Sequence, residues 1–231
     1  ENSSEDGMKE SLGEAAARYL EYTIKDGNIV GVSMGSTLFE VVSHVVHPAA
    51  QKVTFVPLVG GVGRVRMELH ANSLAESLSR IYDGKFVPLH APARVSSRNI
   101  RDELLKEDSL LPAIYLTQKL DIAVVGIGYP NEKSAIMATG YFKENEIESL
   151  IDRKVAGELC MQFYDIYGDT APYKDDNNVI GMDISMLRSV PRSIGIAGGV
   201  EKLRAVRGAI NGHYINTLIT DIECAEALIS E

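Results

Sequence analysis

The chain has 231 residues, 45% hydrophobic and 24% charged, enough to bury the core of one large domain or two small ones. A formal net charge of −9 and an isoelectric point near 5.1 argue against this surface docking on nucleic acid, where Lys and Arg have to neutralise phosphates. No apolar run approaches the ~20 residues of a membrane span, no signal peptide opens the chain, and Cys160 and Cys224 lie too far apart for C-x-x-C, which excludes a signalled zinc site or disulfide framework. A reduced, cytoplasmic compartment is expected, and Glu1 in place of an initiator methionine reads as a fragment or a processed chain.

Residues 1–7 are polar and read as a frayed end. Apolar positions at helical intervals (Leu12, Ala15, Ala16, Tyr19, Leu20, Ile24) predict a helix over 8–25, stopped by Asp26-Gly27. A strand over 29–32 follows, then a helix over 37–46 ended by Pro48. The next apolar run, 53–58, reads as a strand delivering Gly60-Gly61-Val62-Gly63, with a helix over 67–82 after it. A brief strand over 86–89, a turn at 90–93 and helices over 99–105 and 110–120 lead to a strand over 121–126, ending in Gly126-Ile127-Gly128. Residues 143–151 form a charged amphipathic helix; 155–165 fits strand or helix, with a hairpin-like turn near Asp165 and Gly168. A strand over 179–184, a helical link at Leu187, a strand over 193–197 ending at Gly198-Gly199, a helix over 201–210, a strand over 216–220 and a helix over 222–229 complete the chain. The alternation predicts one α/β domain, its sheet mostly parallel and covered by helices on both faces.

The turn after the first strand organises the functional reading. Gly31 and Gly35 leave the backbone open to close approach, and Ser33, Ser36 and Thr37 add hydroxyls beside the free N–H groups of a helix N-terminus, a cradle suited to phosphate. Two other readings compete. Gly31-Val32-Ser33-Met34-Gly35 also fits the G-x-S-x-G nucleophile elbow, with Ser33 as nucleophile, although a single helical segment precedes it. The turn could equally be an ordinary Ser/Thr-capped helix start. Three strands end in glycine turns, which on one sheet edge would form a binding mouth; neither G-x-G-x-x-G nor the P-loop pattern occurs.

Around that mouth, Lys202 is placed one turn into a helix beside Gly198-Gly199 and suits a phosphate; His70 and Asn72 could hydrogen-bond sugar hydroxyls. An isomerase or deaminase would need a carboxylate base: Asp121 opens its strand at the wrong edge, leaving Glu158 and Asp165. His44, His47, His70, His90 and His213 show no metal-binding spacing, and no metal or cofactor is expected.

The succession DGNIVGVSMGST, VPLVGGVG with HANSLA, VPLHAPA, DIAVVGIGYP with TGYF, VAGELCMQFYDIYG and IGIAGGVEKLRAVRGAINGHYINTLITD resembles, across nearly the whole chain, the effector-binding domain of SorC-type sugar-responsive bacterial transcriptional regulators, a group that includes the deoxyribonucleoside and central-glycolysis regulators. The resemblance implies a fold related to glucosamine-6-phosphate deaminase and ribose-5-phosphate isomerase over 1–231. It implies a phosphorylated sugar as non-catalytic effector, a homodimer or homotetramer, no membrane, and operator DNA bound through a helix-turn-helix domain that this sequence lacks. It places a phosphate loop on Gly35, Ser36 and Thr37, a glycine loop on Gly60, Gly61, Val62 and Gly63, a polar sugar contact on His70 and a phosphate-binding lysine on Lys202; Ser33, Gly126 and Gly128 are further ligand-binding candidates read from the strand-end turns themselves. One departure is Val59, where some members carry a basic residue; imine chemistry is excluded there and a second phosphate is less favoured.

Overall fold

The computed structural model describes residues 2–46, 48–63, 66–130 and 139–230. Six parallel strands, β1 (Ile29–Val32), β2 (Thr54–Pro57), β3 (Lys85–Phe86), β4 (Ile122–Gly126), β7 (Arg192–Ile196) and β8 (Thr217–Ile219), form a sheet in the order β3-β2-β1-β4-β7-β8. β5 (Gly157–Leu159) and β6 (Gln162–Tyr164) pair antiparallel as a separate ribbon. The sheet grows outward from β1 in one direction and from β4 in the other. Chain connections therefore diverge at the β1–β4 boundary, and a crevice opens outside the carboxyl ends of these two strands.

Side-chain alternation along the strands builds two cores. Val30, Val32, Ile122, Val124, Ile194 and Ile196 face α1 (Asn2–Thr23), α2 (Ser36–His44) and α3 (Ala71–Ile81). Val56, Ala123 and Val125 face the other way, toward α5 (Leu111–Thr117), α6 (Glu144–Asp152), α7 (Leu203–Asn211), α8 (Ile222–Ser230) and the β5–β6 ribbon. The short helix α4 (Arg98–Leu104) lies between β3 and α5 in the chain, capped by Ser97. An α/β sheet clothed on both faces is what the alternation predicted.

Several elements differ from expectation, each for a local reason. α1 begins at Asn2 instead of residue 8, its first turns tied by the Lys9–Glu5 pair at 2.7 Å and by Ser11 Oγ donating to Gly7 O. The helix expected over 67–82 is split: a 3₁₀ turn (Met67–Leu69) precedes α3, with His70 extended between them. β3 covers Lys85–Phe86 only, because Leu89 is held by the Asn72 side chain and not by a neighbouring strand.

Residues 179–184 form no sheet strand. They make isolated pairings, Arg94 with Val179 and Val59 with Gly181, then enter a 3₁₀ turn (Ile184–Ser189) whose start Asp183 caps. Gly181, at φ 156°, crosses Leu58 so closely that a Cβ would lie 2.3 Å from the Leu58 carbonyl oxygen. The undecided segment 155–165 is a hairpin. Its turn falls at Cys160 and Met161, with φ 51° and 64°, and the turn expected at Asp165 and Gly168 forms as well, after β6, with Gly168 N–H donating to Asp165 O at 3.0 Å.

Candidate functional site: a crevice at the strand ends

The turn from β1 into α2 lies at the divergence point. Ser33 is 2% exposed; its N–H donates to Val124 O at 3.0 Å and its Oγ accepts the Gly126 N–H at 3.2 Å. That hydroxyl staples β1 to β4, which removes the elbow reading, since an elbow nucleophile has to stand exposed. Gly35, at φ 129°, swings the chain into α2 and donates its N–H to Leu69 O at 3.0 Å, bringing the His70 turn beside the start of the helix. Ser36 and Thr37 then open α2 with half-buried side chains. Its N-cap, Gly35, has no side chain to cap it, so the first N–H groups of α2, which have no intrahelical acceptor, leave the positive end of the helix at this turn.

The glycine loop after β2 is held by main-chain bonds. Gly60 N–H donates to Ile180 O at 2.9 Å and Gly61 N–H to Ala91 O at 2.8 Å; the Gly61 carbonyl accepts Ala93 N–H at 2.8 Å and the Tyr141 hydroxyl at 3.2 Å. A Cβ on Gly60 would sit 2.6 Å from Ala91 O, so glycine is demanded by packing against residues 91 and 92. Val62 points into the core at 1% exposure, as does Val59. Gly60 and Gly61 thus offer a ligand a smooth wall, their own N–H groups being committed. Asn72 clamps Leu89 from both sides, Nδ2 donating to Leu89 O at 3.1 Å and Oδ1 accepting Leu89 N–H at 3.0 Å, and so props the 89–93 stretch that carries Gly61.

Across the divergence point, Gly126 packs against the Met34 carbonyl, and Gly128 pairs in both directions with Glu158, at 3.0 and 2.9 Å. The Glu158 carboxyl lies over Gly128, where a Cβ would be 2.0 Å from Oε1; its Oε2 accepts the Met161 N–H at 2.8 Å. Burial pushes Glu158 up to about 7, against the opposing pull of the Met161 N–H and the Lys202 charge. The sequence marks Glu158 only as a possible base. Its place in the crevice depends on the Cys160-Met161 turn, which carries neither Gly nor Asn and gave no hairpin signal.

Lys202 ends a 3₁₀ turn (Val200–Lys202) ahead of α7, not one turn into a helix as expected. Burial lowers its pKa first, Lys9 lowers it further, and Glu201, Glu158 and Glu5 pull the other way. No carboxylate among the described residues forms an ion pair with it, whereas the neighbouring Lys9 is neutralised by Glu5. β4 alone separates β1 from β7, so their C-terminal turns lie roughly 10 Å apart at ~4.8 Å per strand, a span suited to one sugar phosphate. Asp165 is spent on its own turn, accepting the Tyr167 and Asp169 N–H groups, and Asp121 accepts Ile29 N–H at the opposite strand end. Among the described residues, which exclude His47, no group of three or more His, Cys, Asp or Glu side chains could hold a metal, and no helix is long and apolar enough to cross a membrane.

The arrangement can receive an anion at the start of α2, balance it with a lysine that has no ion pair among the described residues, and present a carboxyl to hydroxyl groups. Comparison with known proteins agrees in kind. The family model described as "Putative sugar-binding domain" matches residues 1–230. The chain is 27% identical over 227 residues to the deoxyribonucleoside regulator of Bacillus subtilis, covering 97% of this chain and 72% of that protein. It is 29% identical to the sorbitol operon regulator of Klebsiella pneumoniae, covering 98% and 74%. The crystal structure of that full-length regulator, SorC, superposes with a TM-score of 0.89 over 97% of this chain and 74% of its own, and the probable sor operon regulator of Shigella flexneri gives the same score over 97% and 89%. The chain belongs to the sugar-binding domain family of the SorC-type transcriptional regulators.

Proposed function

We propose that this domain is the sensor of an operon regulator and that it binds a phosphorylated sugar in the strand-end crevice without converting it. The observation that carries the reading is the pairing of an α2 N-terminus whose N-cap, Gly35, has no side chain to cap it, with Ser36 and Thr37 beside it, and a half-buried Lys202 on the other side of β4 that has no ion pair among the described residues. Phosphate is assigned to the first-turn N–H groups of α2, the two hydroxyls and the lysine. Sugar hydroxyls are assigned to His70 and Glu158, while Asn72 supports the wall through Leu89. Gly35, Gly61 and Gly126 give the ligand close approach to backbone, whereas Gly60 and Gly128 line the crevice with their Cβ sides filled by Ala91 and by the Glu158 carboxyl.

Regulation follows from differential affinity: the sugar shifts the oligomer only as far as it prefers one assembly over another. A homodimer or homotetramer, acting in the cytoplasm on operator DNA through a helix-turn-helix segment outside residues 1–231, completes the proposal; the regulators it resembles are longer than this chain. The test is a thermal-shift and calorimetric panel of phosphorylated sugars against their unphosphorylated forms. A sugar phosphate that stabilises the domain and is recovered unchanged is the expected result. Turnover of ribose 5-phosphate, fructose 6-phosphate or glucosamine 6-phosphate that vanishes in Glu158→Gln would replace sensing with catalysis.

A further inference from the structure

A second cavity, of about 300 Å³, opens among α4, β6 and the 3₁₀ turn Ala171–Asp176, and none of the crevice residues lines it. Its floor is apolar: Phe163, Tyr173 and Ile184 are 3%, 2% and 2% exposed. Its inner polar wall is internally satisfied. Gln162 Nε2 donates to Met182 O at 2.7 Å, and Gln162 Oε1 accepts Asn177 Nδ2 at 3.1 Å and Ile184 N–H at 3.3 Å. The floor therefore calls for no water to complete its hydrogen bonds.

The rim differs. Arg98, Arg101 and Lys174 surround the opening. Arg101 donates Nη1 to Asn177 O at 3.2 Å and forms a long ion pair with Asp102, Nε to Oδ1 at 3.9 Å, but its buried Nε donates no hydrogen bond among the described residues. Arg98 and Lys174 take part in no ion pair among the described residues, whereas nearby Arg153 is bound to Asp176 at 2.8 Å and to the Pro172 carbonyl. The two rim aspartates each spend an oxygen on their own turn, Asp169 on Ala171 N–H and Asp183 on Ser185 N–H. Three cations with unused donors thus converge over an aromatic floor on a chain whose formal charge is −9.

We infer that this cavity is a second small-molecule site, for an organic anion whose apolar or aromatic body rests on Phe163 and Tyr173 and whose carboxylate or phosphate head meets Arg98, Arg101 and Lys174. It stands independently of the sugar-phosphate crevice.

Phenyl phosphate is the probe, titrated into the ¹⁵N-labelled full chain and followed by amide shifts. Saturable movement at Thr170, Asn177 and Ile184 is expected. The Arg98→Gln/Lys174→Gln variant removes charge without removing a side-chain bond among the described residues, and it should weaken that binding by about tenfold or more. Lys202→Ala should leave it unchanged. No saturable movement at these amides up to about 10 mM, a loss under tenfold in the double variant, or an equal loss in Lys202→Ala would overturn the assignment.

Discussion

Replacing Lys202 by alanine separates a ligand-holding lysine from a structural one. In the folded domain its ammonium is half-buried with no ion pair among the described residues, and burial lowers its pKa below the ordinary lysine value of 10.5. The charged form is therefore disfavoured by folding: the penalty is fully present below the folded pKa and fades as pH rises toward 10.5. Removing the side chain relieves that penalty, so the ligand-free melting temperature should hold or rise.

The ligand term moves oppositely. A charge-assisted hydrogen bond to phosphate contributes about 1.5–3 kcal/mol, which is roughly ten- to a hundredfold in Kd. With sugar phosphate at about 100 times the wild-type Kd, stabilisation of about 2.7 kcal/mol should shrink to about 1.4 kcal/mol for a tenfold loss and about 0.4 kcal/mol for a hundredfold loss. At about 2–4 °C per kcal/mol for a domain of this size, a ligand shift of roughly 5–10 °C becomes roughly 1–5 °C. Differential scanning fluorimetry with and without ligand, checked by calorimetry, measures both quantities. An undiminished ligand shift, or a ligand-free midpoint lower by more than about 4 °C, would refute the reasoning.

The Ser36→Ala/Thr37→Ala variant should lose the ligand shift while unfolding in urea at the wild-type midpoint, because neither hydroxyl caps α2; a lowered midpoint would mark them as structural. Asn72→Ala should cost about 1–3 kcal/mol in chemical denaturation through the orphaned Leu89 main chain, and unchanged stability with lost sugar affinity would return Asn72 to the ligand. Glu158 titrates near 7 folded against an ordinary 4.5, so its contribution is fully present below pH 4.5 and is lost as pH rises through about 7. Glu158→Gln should flatten that slope between pH 5 and 8, by at most about 3 kcal/mol, and a slope equal to wild type would remove the assigned shift.

The sequence was legible where periodicity and turn chemistry agree. Buried runs such as 29–32 and 121–126 and the helices between them could be placed because core faces repeat at 2.0 or 3.6 residues. Strand order could not, since nothing in one chain's spacing says that β4 returns beside β1. Misreadings fell where side chains replace regular pairing: Asn72 imitates a strand for Leu89, and Cys160-Met161 turns a buried hairpin without glycine because the Glu158 carboxyl accepts the Met161 N–H. Ser36, Thr37 and Lys202 were nominated from the chemistry of turns, but the roles of Ser33 and Gly60 emerge only from contacts at 93 and about 30 residues' separation, with Gly126 and with Ala91.

The most direct measurement is an amide-shift titration of the labelled chain with sugar phosphates and with the same sugars lacking phosphate. At least one phosphorylated sugar should move the Ser36, Thr37 and Leu38 amides saturably, its unphosphorylated counterpart should leave them in place, and the ligand should be recovered intact. Amides at the start of α2 that ignore every phosphorylated sugar, or that respond equally without the phosphate, would contradict the account.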